Sequence, residues 1–383
     1  MRHNVRRVCG LAVCALLLGL SPLRAEGDEA GVRRHLDLLR GIQMTHDKAE
    51  LQRLNTRMDE AWSFFDSHKA TALPLIEQEL RTATEAKSPD QFFLMDVGFW
   101  LVKTEPAHAS TSVAALERID PSAEMVRAFW QELFHFVMKL GASGQETERY
   151  LAQVDRIYLP NKTEINFFAA PHLVNFTPDD LLSLTYGVAG ESAGEHLCAL
   201  AAKPGPDQVR IARLLTVACT EQQAEKIAAI LQATRDDDVA EATVTALMLI
   251  GGPSGRGAVL AYDASTASPR LRDYLKSIRG SVKKVDVAYF DRELKSIHRP
   301  KKMSDREVQQ ALDLMEKTNG ADDSTPPIDV FRSKLDPFKV LAQLKRIRAA
   351  AFRRKNNHVF EDLPVNNLLI NAFQYKCAAV KVK

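Results

Sequence analysis

Five consecutive residues, Gly190-Glu191-Ser192-Ala193-Gly194, have the G-x-S-x-G spacing that lifts a serine onto a sharp turn as a nucleophile. That chemistry needs a strand before the turn and a helix after it. It also needs an oxyanion loop upstream, and an acid and a histidine downstream in that order. The chain has no H-G-G-G-like segment, and the strand–helix alternation of a parallel sheet is missing. The downstream histidines His298 and His358 lie in basic, helix-patterned surroundings. The spacing therefore reads first as small residues in a tight turn between two helices, with a nucleophile at Ser192 as the alternative.

Metal and phosphate chemistry find less support. There is no H-E-x-x-H and no cysteine pair at zinc spacing. Glu195-His196-Leu197-Cys198 lacks a second ligand pair. Asp236-Asp237-Asp238 stands at a helix start, where acids complement the helix dipole. The glycine-rich stretch Gly251 to Gly257 lacks the Lys-Ser/Thr ending of a phosphate loop and reads as an inter-helix turn. No cofactor, metal ligand set or small-molecule substrate is expected from these residues.

The strongest surface signal is basic. Lys339, Lys345, Arg346, Arg348, Arg353, Arg354 and Lys355 fall within segment 339–355, beside an apolar stripe of Val340, Leu341, Leu344, Ile347 and Phe352. An amphipathic basic helix suits three partners: an anionic membrane or envelope polymer, an acidic protein, or the chain's own acidic half. Nucleic acid is not expected, because no reader motif accompanies the cluster. The formal net charge of +2 over 383 residues conceals a split. Residues 1–25 hold four Arg and no acid, residues 26–269 carry a net −13, and residues 270–383 carry +11.

Residues 1–25 read as a cleavable secretory signal. Arg2, Arg6 and Arg7 precede an apolar run from Val8 to Leu20, and Ala25 closes the segment before Glu26. Export to a periplasmic or extracellular space is expected. No later run reaches the ~18 apolar residues of a membrane span. Cleavage leaves Cys198, Cys219 and Cys377. An oxidising compartment permits one bridge, and Cys198 with Cys219, in neighbouring helical segments, are the candidates. The alternative is that all three are small buried apolar side chains.

The elements that must position these residues are helical almost throughout, with Ile165 to Ala170 the one strand-like stretch. Residues 26–176 form an aromatic-rich helical region holding all three Trp, with helix starts at Ser88-Pro89-Asp90 and Asp120-Pro121. Residues 177–282 repeat an acidic or proline opener about every 30 residues: Pro178-Asp179-Asp180, Pro206-Asp207, Asp236-Asp237-Asp238 and Ser268-Pro269. Two helices per unit at that period mark stacked helical hairpins. Residues 283–383 form a basic helical region. It has a Ser304…Glu307 capping box, a linker at 319–327 and a final helix from Pro364 to Val380 with an apolar stripe.

Asp237-Asp238-Val239-Ala240-Glu241-Ala242 through Ala246-Leu247-Met248-Leu249-Ile250-Gly251 resembles the first helix of a HEAT-like repeat. The resemblance covers about residues 177–282. It departs from the family at Ala240, where such repeats usually carry Arg. It implies an α-solenoid that presents a long surface to other macromolecules, and it carries no catalytic residues. The expected architecture is all-α. The expected role is an exported, non-enzymatic scaffold or binding protein with a protein or envelope partner. A serine hydrolase using Ser192 and an anionic-surface binder using helix 339–355 are the alternatives.

Overall fold

A computed structural model describes residues 28–40, 42, 47–161, 165–169, 172–250, 252–265, 267–281, 303–318, 328–351, 369–374, 376 and 377. The expected signal at 1–25, the linker at 319–327, and Arg353, Arg354 and Lys355 lie outside these residues. Among the described residues, the regular structure is helical apart from one antiparallel hairpin. Its strands are β1 (Ile165–Ala169) and β2 (His172–Phe176), with Ile165 paired to Phe176. Strand β1 falls on the strand-like stretch expected from the sequence, and β2 lies beyond it.

Among the described residues, eight α-helices precede the hairpin: α1 (Asp28–Leu39), α2 (Lys48–Ser67), α3 (Lys69–Glu85), α4 (Gln91–Thr104), α5 (Ala109–Arg118), α6 (Glu124–Ala128), α7 (Trp130–Ala142) and α8 (Thr147–Tyr158). Asp90 caps α4 as its position suggests, accepting from the Phe93 amide at 3.0 Å. Asp120-Pro121 does not open a helix directly. The Asp120 carboxylate accepts from the Ser122 amide and hydroxyl at 2.8 and 2.7 Å, closing a local turn, and α6 begins only at Glu124. Phe92, Phe93, Phe134, Phe136 and Tyr158 are fully or almost fully buried, and Phe65 and Trp62 sit edge-on and stacked, respectively, against Trp100. These aromatic side chains pack into the hydrophobic core.

The next seven helices are α9 (Pro178–Ala189), α10 (Glu191–Ala201), α11 (Gln208–Ala218), α12 (Ala224–Ala233), α13 (Asp237–Ile250), α14 (Gly252–Ala261) and α15 (Pro269–Ser281). Each expected opener starts one of them. Thr177 and Asp180 form a reciprocal capping box around Pro178. Asp236 accepts from the amides of Asp238 and Val239, and the Ser268 hydroxyl accepts from the Leu271 amide. Asp236 of the acid triplet thereby caps a helix N-terminus. Helices α9, α11, α13 and α15 pack in one row, each on the next, while α10, α12 and α14 form a second row beside it.

Two ion pairs repeat with the row. Arg210 on α11 meets Asp179 on α9 at 2.5 Å, and Arg270 on α15 meets Asp238 on α13. In α13 the residue after Val239 is Ala240, where α11 has Arg210 after Val209.

Helices α16 (Asp305–Lys317) and α17 (Pro337–Ala351) follow, and a last helical stretch covers residues 369–374. The Ser304–Glu307 capping box is present. Helix α17 packs on both α16 and α9.

Candidate functional site

A concavity of about 910 Å³ lies between α10 and α12. Small side chains create it. Ala199, Ala202, Ala229 and Ala233 line facing helix surfaces with Cys198 and Ile230. An alanine stripe fills little of the space that longer side chains would occupy, so the two helices leave an open trough. Charges guard its rim. Lys226 pairs with Glu195, and the Gln223 amide donates to the same carboxylate at 2.9 Å. Those hydrogen bonds hold the Glu195 carboxyl below the usual range. Arg235 and Asp236 stand at the far end.

Ser192 sits at the mouth of a different turn. Ser192 is the second residue of α10, and the turn before it joins α9 to α10, helix to helix, with no strand leading in. Gly190 makes the corner at φ 63°, a conformation L side chains rarely adopt. Gly194 lets α10 approach the end of α11: a Cβ there would stand 3.2 Å from the Ala218 carbonyl oxygen and 3.3 Å from Cys219 Cα. Both glycines of the G-x-S-x-G spacing are thus accounted for by backbone geometry. Ser192 is exposed and has no hydrogen-bond partner among the described residues. His196, one turn further on, places Nε2 2.9 Å from Asp155 of α8. Asp155 also accepts from the Tyr186 hydroxyl at 2.6 Å. Burial, with Asp155 beside it, pushes the Tyr186 phenol well up.

The basic helix divides by face. Lys339 and Arg346 are exposed. Arg346 pairs with Glu316 of α16 at 2.5 Å and lies 3.5 Å from Glu191 at the start of α10. Lys345 and Arg348 point inward and are only 3% and 8% exposed. The Lys345 ammonium donates to the carbonyl oxygens of Thr216 and Cys219 at 2.9 and 2.6 Å. Arg348 donates to the Val217 carbonyl at 3.0 Å, and the Gln374 amide donates to Thr216 at 2.7 Å. These acceptors are the last carbonyls of α11, which have no partner within their own helix. The dipole of α11 also favours a cation there. Burial pushes the Lys345 ammonium down to about 7 and the Arg348 guanidinium down to about 10. Two of the seven cations therefore serve an internal helix end.

Sequence reasoning missed a polar seam between α4 and α7. Asp96 is 8% exposed, and its Oδ2 has no hydrogen-bond partner. Burial, with Glu132 nearby, raises its carboxyl to about 8. Burial raises Glu132 as well. It lowers His135 to about 4 and Lys139 to about 8, each with a neighbouring lysine adding to the effect. The signal was present as Asp96 and Lys103 seven apart, and Glu132, His135 and Lys139 at helical spacing, inside otherwise apolar runs. Among the described residues, no group of three or more His, Cys, Asp or Glu is placed to hold a metal ion. No described helix is long and apolar enough to cross a membrane.

Compared with known proteins, the chain matches no family model, no curated protein and no solved structure.

Proposed function

We propose that this chain is an exported, non-enzymatic binding protein. Its HEAT-like helical hairpins present the α10–α12 trough to a segment of a protein or envelope partner. The observation that carries the reading is the two-row packing of α9–α15 with that trough of about 910 Å³ open on the second row. A trough floored by alanines admits a chain segment, and the separate charges at its rim give that segment polar anchors. Affinity spread over repeated helices needs no compact cluster of reacting groups.

The test is capture from envelope extract with the protein as bait, beside Ala229→Trp. That residue is exposed in the trough, so the indole fills the space without entering the core. The expected result is one partner held by the wild type and by Ser192→Ala, and lost with Ala229→Trp. Equal capture by Ala229→Trp overturns the trough as the binding surface. Fluorophosphonate labelling that disappears in Ser192→Ala would replace the reading with a hydrolase. Salt-sensitive binding to anionic vesicles, lost when Lys339 and Arg346 are neutralised, would replace it with a surface binder.

A further inference from the structure

Cys198 on α10 and Cys219 at the end of α11 face each other with their sulfurs 3.8 Å apart. Both are buried thiols. A disulfide brings its sulfurs to about 2 Å, with Cβ atoms about 3.8 Å apart. Rotation about the Cα–Cβ bonds can supply an approach of that size between two side chains already in contact. Three features distinguish this pair from two apolar cysteines that happen to touch. Cys198, 4% exposed, lines the trough, while Cys219 is fully buried and does not line it, so Cys198 is the nearer of the two to the outside. The Cys219 thiol also reaches the Gly194 carbonyl at 3.5 Å, which orients it beside Cys198. The Lys345 ammonium is fixed on the Cys219 carbonyl at 2.6 Å, which holds the backbone that carries the inner sulfur.

We propose that Cys198 and Cys219 are a dithiol–disulfide site, oxidised by thiol–disulfide exchange with a small external disulfide that enters through the trough. Cys198 is the entering thiol and Cys219 the resolving one. The Cys198 thiolate attacks one sulfur of the external disulfide. That S–S bond breaks, and its other half leaves with the bonding electrons and takes up the proton Cys198 lost. Cys219 then gives up its proton and attacks Cys198 Sγ. The mixed bond breaks and the second external thiolate leaves, taking that proton. Two protein thiols become one disulfide, and one external disulfide becomes two thiols. The electrostatics agree with this order. The hydrogen bond from Cys219 lowers the Cys198 thiol, while the pairing and deep burial raise Cys219. The bridge would tie α10 to the end of α11, and it would withdraw Cys198 from the lining of the trough. The site does not depend on what partner the trough receives.

The test treats the full chain with oxidised glutathione, blocks remaining thiols with an alkylating reagent, and maps peptides without reduction. The expected product is a Cys198–Cys219 bridge, with Cys377 recovered alkylated after denaturation. In Cys219→Ser, a stable glutathione adduct should remain on Cys198. In Cys198→Ser, Cys219 should stay unreacted in the folded protein. Far-UV circular dichroism confirms that both variants are folded. A lasting glutathione adduct on Cys198 of the wild type overturns the proposal. So does a bridge from Cys219 to Cys377, or a Cys198 that does not react at all.

Discussion

Lys345 closes the end of a helix made 129 residues earlier, its ammonium donating to the Thr216 carbonyl oxygen at 2.9 Å. A second bond, to Cys219, makes the lysine a bidentate cap on α11. The clamp converts a stretch that reads as a free basic face into a joint between the C-terminal helices and the repeated hairpins.

Lys345→Met keeps an unbranched stem of similar length and removes the ammonium. Two buried carbonyls then lose a partner. The expected cost is about 2–4 kcal/mol, read as a lower midpoint in urea unfolding. Gln374→Ala removes one bond to the same helix end and should cost about 1 kcal/mol. Equal midpoints for wild type and Lys345→Met would show that the joint contributes nothing.

The seam between α4 and α7 predicts a pH dependence with opposing parts. Asp96 is raised to about 8 in the folded chain, so its contribution is complete at low pH and is lost as pH rises toward 8. His135 is lowered to about 4, so the folded state binds fewer protons than the unfolded one up to about pH 6.5, and stability rises with pH there. Between pH 4.5 and 6, roughly, the two oppose each other. Asp96→Asn should leave the rising part exposed, and His135→Gln the falling part. The two slopes should differ by about 2 kcal/mol per pH unit in chemical denaturation.

Gly194→Ala tests whether the G-x-S-x-G spacing serves packing. The added methyl meets the backbone of Ala218 and Cys219, which cannot swing aside as a side chain can. A net loss of about 1–2 kcal/mol is expected, even after the gain in helix propensity. Ser192→Ala, at an exposed position, should change thermal stability by no more than about 0.5 kcal/mol.

The rungs of the Asp–Arg row should be unequal. Arg210 is largely buried and also donates to the Leu159 carbonyl at 2.6 Å, so Arg210→Ala should cost about 2–3 kcal/mol. Arg270 and Asp238 are both more than half exposed, and Arg270→Ala should cost less than about 1 kcal/mol. Thermal melts of the two variants side by side give the comparison.

Local chemistry was legible in the residues. The openers at Pro178, Asp236 and Ser268 act through bonds to amides two or three positions away, so a short stretch contains the whole interaction. Asp120-Pro121 misled because a competing local bond, to Ser122, took the carboxylate first. The inward turn of Lys345 and Arg348 had a signal: they stand four and seven residues after Leu341, on the face of the apolar stripe. Composition read them as surface charge because cations seldom enter a core without a partner. That partner, the open end of α11, lies too far away in sequence for any periodicity to reveal. The trough is hidden for the same reason, since its alanines belong to two helices and acquire meaning only when those helices are adjacent.

The clamp on α11 also fixes an order of assembly. A chain made from its N-terminus completes α11 well before Lys345 exists, and Gln374 follows Thr216 by 158 residues. Until then the last carbonyls of α11 must be served by water. The end of α11, in the middle of this sequence, therefore gains its last partners only after residue 345 is made, and a chain cut short before Lys345 leaves its damage in a helix completed long before.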